Sequence, residues 1–241
     1  YTVQSLFGPQ ATRQAIETQI GQLSRELGAD DVLFIYISSH GALPLPAPEG
    51  NDARHMSIVA YDSGDILGQR SRDATDYLLK LQRTSVRDSL VQALAQQPTR
   101  QTRVLVDTCY SGDMLRALDR PGGDALLSDR DSISIEAWSR LAQNLRSRYT
   151  LLTATSPGEL ALGPPIERGV FPSPLSPQRQ LRGSFFTQTL FEYLDQRGGL
   201  LQAAFADAQA FTAQTARRVS GGQQAQTPRM LSTMEPGIDR L

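Results

Sequence analysis

The chain holds one cysteine, two histidines and one tryptophan among its 241 residues. A single cysteine excludes any intrachain disulfide, and with so few histidines it also argues against a cysteine-rich zinc site. A lone thiol fits a reducing, cytoplasmic compartment. No apolar run approaches the roughly 20 residues that a membrane span requires. Neither sign of charge is in excess: Lys and Arg total 24 against 25 for Asp and Glu, a net charge of −1. Neither nucleic acid nor an anionic membrane is therefore expected as a partner. The chain opens at Tyr1 with neither an initiator methionine nor a signal-like segment, as a fragment would. Its length suffices for one sizeable α/β domain over 1–241 with a substantial core.

What is present gathers around Val104-Leu-Val-Asp-Thr-Cys-Tyr-Ser-Gly-Asp113. Arg103-Val-Leu-Val is β-branched and apolar, as a buried strand is. Ser111-Gly112 breaks that strand and Met114-Leu115 begins a helix. A second stretch has the same form: Val32-Leu-Phe-Ile-Tyr-Ile37 is six apolar residues ending in Ser38-Ser-His-Gly41. In open α/β sheets ligands bind just beyond the carboxyl ends of the strands. Two buried strands thus deliver His40 and Cys109 to equivalent ends.

The remaining chain alternates strands and helices. Tyr1–Leu6 reads as a short strand. Thr12 opens a helix with Ile16, Ile20, Leu23 and Leu27 on one face, ended by Gly28. A Pro-rich loop follows Leu43, then a strand over Met56–Tyr61 and a polar loop through Asp76. Ser85 with Asp88 three residues on resembles a capping box, followed by Val86, Leu90 and Leu94 at helical spacing. Residues 116–133 form a Gly- and Asp-rich connection, expected to be mobile. Trp138, Leu141 and Leu145 mark a helix, and Tyr149–Thr155 a strand. Residues 163–183 carry five prolines and read as a long loop. Phe186, Leu190, Tyr193 and Leu194 mark one more helix before Gly198-Gly199, and Leu201 to Val219 the last. This alternation predicts a mainly parallel sheet covered on both faces, a three-layer α/β/α sandwich.

A thiolate attacks an acyl carbon well when a base lies nearby, and an imidazole serves as that base and then protonates the leaving amine. Gly41 leaves its N–H uncovered. With the amide of Cys109 it offers an oxyanion hole, worth roughly 2.7–4 kcal/mol per donor in a well-studied protease. His55 precedes its strand instead of ending one and is set aside as the base.

These residues resemble the caspase-like cysteine peptidases, the clan of caspases, metacaspases and their prokaryotic relatives. Tyr36-Ile-Ser-Ser-His-Gly41 is similar to the Ser-Gly-His-Gly motif, with Ser39 in place of its first glycine. Asp107-Thr-Cys-Tyr-Ser-Gly112 is similar to the metacaspase-type Asp-x-Cys-x-Ser-Gly. Ala154-Thr-Ser-Pro-Gly158 resembles the strand end lining the caspase substrate cleft, and Gly183-Ser-Phe-Phe-Thr-Gln-Thr-Leu190 the helix start after the substrate loop. The four elements occur in family order over about residues 30 to 195. The resemblance implies Cys109 as nucleophile, His40 as general base and acid, and an oxyanion hole from the amides of Gly41 and Cys109. It also implies that the family's first strand and helix are missing ahead of Tyr1.

In a strand, residues i and i+2 share a face about 6.6 Å apart, so Asp107 shares a face with Cys109. A carboxylate there favours Arg, less often Lys, at the P1 position, and the resemblance to metacaspases implies the same pocket. Asp107 also reads as a turn-capping carboxylate. Ser38 and Ser156 are candidate pocket walls, or simply turn residues. Arg116, Arg120, Arg130, Arg146 and Arg148 lie in or near the connection after Cys109, where caspase relatives divide, so the connection is a candidate autoprocessing segment. Many metacaspases need calcium. Asp62, Asp65, Asp73 and Asp76 are clustered and offer oxygens for calcium but lack an EF-hand pattern, so no cofactor is required and calcium stays an alternative. The expected partners are a protein or peptide substrate with a basic P1 residue and an activating protein. The rival expectations are a catalytically inactive caspase-like interaction domain and a zymogen whose 163–183 loop must open.

Overall fold

The computed structural model describes residues 2–43, 56–64, 70–88, 90–117, 127–128, 132–133, 148–165, 167–234 and 239–241. Three parallel strands and one antiparallel strand form the central sheet. They are β1 (Val32–Ser38), β5 (Gln101–Asp107), β8 (Arg148–Thr153) and β11 (Arg229–Ser232), side by side in that order, with β11 antiparallel to β8. Between them come the short strands β2 (Gly41–Ala42), β3 (Ser57–Ile58) and β4 (Val86–Arg87), which form an antiparallel sheet of their own. The strands β6 (Leu127–Ser128) and β7 (Ser132–Ile133), and β9 (Phe171–Pro172) and β10 (Gln180–Leu181), make two small antiparallel pairs.

Alternation along β5 divides the core. Val104 and Val106 face one side and pack with Tyr149, Leu151, Leu90, Val91, Leu94 and Met114. That layer contains α1 (Arg13–Glu26), α3 (Leu90–Ala95) and α4 (Met114–Ala117), with Ile16 and Ile20 of α1 half-buried against it. Leu105 faces the other side, with Leu152, Phe186, Leu190, Leu201, Ala204 and Phe205. There α5 (Phe185–Gln196) and α6 (Leu201–Val219) form the second helical layer. The result is an α/β/α sandwich with a mainly parallel sheet. Every residue of β5 is buried, as a central parallel strand covered on both faces must be.

Capping sets the helix starts. The Thr12 hydroxyl accepts the Ala15 N–H at 3.1 Å and opens α1, and Ser184 accepts from Thr187 N at 3.2 Å and opens α5. Several expected elements differ. Residues 2–7 form no strand, and the strand expected over 56–61 is only Ser57–Ile58. The polar stretch ending near Asp76 begins a helix, α2 (Ala74–Thr84), whose N-cap is Asp73. Ser85 opens no helix: it is the C-cap residue of α2, Val86 pairs with Ile58 as β-strand, and α3 is described from Leu90. The segment 163–183 is largely folded. Phe171 packs edge-to-face on Phe185 at 5.0 Å, and the buried Glu192 of α5 accepts from Ser173 and pairs with Arg179 at 2.9 Å.

The 116–133 connection is described only at residues 116–117, the last of α4, and at the β6–β7 pair. The Pro-rich loop after Leu43, His55, Asp65, Arg120, Arg130, Arg146 and the helix expected around Trp138 lie outside the described residues. Among the described residues no helix is long and apolar enough to cross a membrane.

Candidate active site

β1 and β5 run parallel with Ser38 opposite Asp107. Continuing that register sets His40 two residues beyond one strand and Cys109 two residues beyond the other. The backbone itself enforces the approach. A side chain at Gly41 would fall on the carbonyl oxygen of Cys109, and its Cβ would also lie 2.9 Å from the carbonyl carbon and 3.2 Å from Thr108 Oγ1. Only glycine allows this contact.

The turn carrying His40 is held from both sides. Val59 N donates to His40 O at 2.9 Å, Ser39 Oγ donates to Val59 O at 2.6 Å, and Ser39 N donates to Asp107 O at 3.4 Å. His40 itself is exposed, and its ring takes part in no hydrogen bond among the described residues. Ser38 is exposed beside it.

Cys109 is half-buried, and its thiol lies 3.8 Å from the carbonyl oxygen of Ala161, to which it donates. The next residue, Tyr110, has φ 61° and ψ 14°, the one described non-glycine residue in left-handed conformation. Such a backbone persists only where its surroundings hold it. Here Tyr110 N donates to Glu159 O at 2.8 Å, Gly112 N donates to Thr155 Oγ1 at 3.3 Å, and Asp113 accepts from Gly158 N at 2.9 Å. The turn after the cysteine is thus locked onto the 155–159 turn.

Asp107 is buried, with 4 % of its surface exposed. Its Oδ2 accepts from the hydroxyls of both Ser184 and Thr187, at the start of α5. Burial raises its pKa above the ordinary carboxylate value, and the hydrogen bonds from Ser184 and Thr187 oppose that rise. Among the described residues no cationic side chain pairs with it. Ser156 is buried as well. Its hydroxyl donates to Thr227 O at 3.0 Å and accepts from Arg229 Nε at 2.6 Å.

Sequence reasoning missed the residues that brace the wall opposite His40. Gln226, fully buried, accepts from Leu162 N and donates to Ala154 O, both at 3.0 Å. Glu159 accepts from Ser156 N at 3.0 Å and Thr227 N at 2.6 Å. Both reach between segments about 65–70 residues apart, so no local pattern announces them. Of the four clustered aspartates, Asp62 accepts from Arg13 N at 2.8 Å, Asp73 caps α2, and Asp76 accepts from Arg72 N at 3.0 Å. Among the described residues no group of three or more His, Cys, Asp or Glu is placed to hold a metal ion.

Known proteins agree with this architecture. The caspase-domain family model matches residues 1–236. The crystal structure of a protein from Geobacter sulfurreducens shares the fold with a TM-score of 0.54 and 16% identity, covering 100% of this chain and 81% of its own. A search among curated proteins finds no match. The chain belongs to the caspase-domain family of cysteine peptidases.

Proposed function

We propose that the protein is a cysteine endopeptidase that hydrolyses peptide bonds after Arg, less often Lys, through a Cys109–His40 dyad. The observation that carries this reading is the contact of Gly41 with the Cys109 carbonyl. It sets the residue after the histidine directly against the cysteine, with both at the carboxyl ends of adjacent parallel strands.

In this mechanism the imidazole of His40 takes the thiol proton, and the sulfur attacks the scissile carbonyl. The amides of Gly41 and Cys109 bind the developing oxyanion. The C–N bond then breaks, His40 returns the proton to the leaving amine, and water hydrolyses the thioester by the reverse sequence. This chemistry calls for no cofactor. The reducing cytoplasm keeps the single thiol available.

Asp107 is the proposed partner of the P1 side chain. It is a buried carboxylate with no cation paired to it among the described residues, and both hydroxyl donors converge on Oδ2, which leaves Oδ1 taking neither. A guanidinium compensates such a charge with bidentate geometry, an ammonium less completely. Ser38, exposed and in register beside Asp107, borders the approach. Ser156 is proposed only as a support of the wall, since its hydroxyl is occupied.

The thiol's donation to Ala161 O, with the His40 ring unbonded among the described residues, favours a resting form that an activating partner or self-cleavage converts. Among the candidate cleavage sites, Arg148 is exposed at the start of β8. The deciding experiment is hydrolysis of fluorogenic peptides with Arg, Lys or Asp at P1, with and without calcium, using Cys109→Ala as control. Cysteine-dependent cleavage after Arg supports the reading. Cleavage after Asp sinks the Asp107 pocket. Failure of Cys109 to react even with a peptide-like electrophile favours the inactive interaction domain.

A further inference from the structure

The family motif that the first strand end resembles carries glycine where this chain has Ser39, and the structure gives that serine a task. Its side chain leaves the β1–β5 pair and donates to the carbonyl of Val59 at 2.6 Å, while its own N–H points at the last carbonyl of β5, Asp107 O, at 3.4 Å. Val59 in turn donates its N–H to the carbonyl of His40 at 2.9 Å. The peptide joining Ser39 to His40 is thus bracketed by one residue, which accepts from the side chain before it and donates to the carbonyl after it. On the far side of the histidine, Gly41 is wedged against Cys109 and paired with Ile58. His40 is the single link between these two fixed points.

The ring needs this support from its backbone. His40 is exposed, and no described residue hydrogen-bonds its imidazole. A general base oriented by a third group is the usual arrangement; here no side chain among the described residues hydrogen-bonds the ring. Its direction depends on where the turn holds its Cα–Cβ bond, and small misplacements of a catalytic group lower the rate steeply.

We infer that Ser39 is a positioning residue: its hydroxyl, through Val59, aims the His40 imidazole at Cys109. The inference rests on the dyad proposed above. It predicts that Ser39 acts on proton transfer and leaves substrate binding alone.

The test compares Ser39→Ala, Ser39→Gly and Ser39→Thr with the wild type and with His40→Ala. Two quantities are read: kcat and KM on an Arg peptide, and the pH profile of Cys109 alkylation by iodoacetamide, which needs no turnover. Ser39→Ala and Ser39→Gly are expected to lower kcat about tenfold with KM within about twofold, and to move the alkylation profile to higher pH. Ser39→Thr keeps a hydroxyl and restores both. If His40→Ala changes the alkylation profile while Ser39→Ala and Ser39→Gly match the wild type, the inference is overturned and the dyad stands. If His40→Ala itself leaves the profile unchanged, the dyad falls and the inference with it. Losses in Ser39→Ala that track its melting temperature, and that threonine does not restore, also overturn it.

Discussion

Gly41 and Cys109 touch through their backbones: the α-carbon of one is seated on the carbonyl oxygen of the other. The obstacle to a side chain is main chain just beyond the end of β5, which has no rotamer to change. Gly41→Ala must therefore push the His40 turn away from β5. Overpacking of this kind costs about 1–3 kcal/mol. The variant should melt several degrees lower and lose at least about a hundredfold in kcat/KM, because the displaced turn carries the proposed base. Full activity in Gly41→Ala would remove the main support for the dyad.

As the proposed partner of the P1 side chain, Asp107 makes opposite demands on stability and on function. Its folded-state pKa lies above the unfolded value of 3.8, through burial. Its contribution to stability is therefore present in full below the unfolded pKa and is lost as pH rises through the folded pKa. Above the folded pKa the buried charge is a cost. Asp107→Asn keeps acceptors for Ser184 and Thr187 while removing that charge. It should raise the melting temperature at pH 8 more than at pH 4, while abolishing the preference for Arg at P1. Thermal melts at the two pH values, set beside peptide selectivity, check both halves.

The left-handed backbone at Tyr110 gives a clean comparison between two truncations. Alanine and glycine both remove the ring, which packs on the core, but only glycine removes the penalty of positive φ. Tyr110→Gly should be more stable than Tyr110→Ala by about 1 kcal/mol. Urea unfolding of the pair measures this. The reverse order would mean that the turn after Cys109 is not held as described.

At the other end of β5, Arg103 is buried against Asp239, with N–O distances of 2.9 and 2.5 Å and further hydrogen bonds from Gln101 and Thr150 to the same carboxylate. Removing one partner strands a buried charge, at a cost of about 3–5 kcal/mol. Asp239→Ala should therefore unfold at markedly lower urea. The double variant Arg103→Met with Asp239→Leu should recover much of the loss, and chemical denaturation of the three proteins decides it.

Both strand ends that carry the proposed chemistry were legible in sequence, because β1 and β5 are short β-branched runs closed by turn residues. The same local logic found α1, α5, α6 and β8. It failed where another segment decides the outcome. Val86 and Arg87 look like the first turn of a helix until Ile58 recruits them into a strand. α2 buries only Leu81 fully, and its start at Asp73 lies in a polar stretch that reads locally as loop. β11 is four residues on the edge of the sheet, too short to announce itself. Within the site, Asp107 was read as sharing a face with Cys109, but its partners Ser184 and Thr187 lie 77 and 80 residues away. The support given by Ser39 was hidden in the same way, since Val59 lies 20 residues off.

The brace formed by Gln226 and Thr227 bears on the order in which the protein is made. Cys109 and His40 leave the ribosome well before the side chains that fix the wall opposite them. Until Gln226 reaches Leu162 and Ala154, and Thr227 reaches Glu159, the segment next to the thiol lacks the anchors supplied from the C-terminal part of the chain. A nascent chain that already carries both proposed reactive groups is thus not yet a finished catalyst.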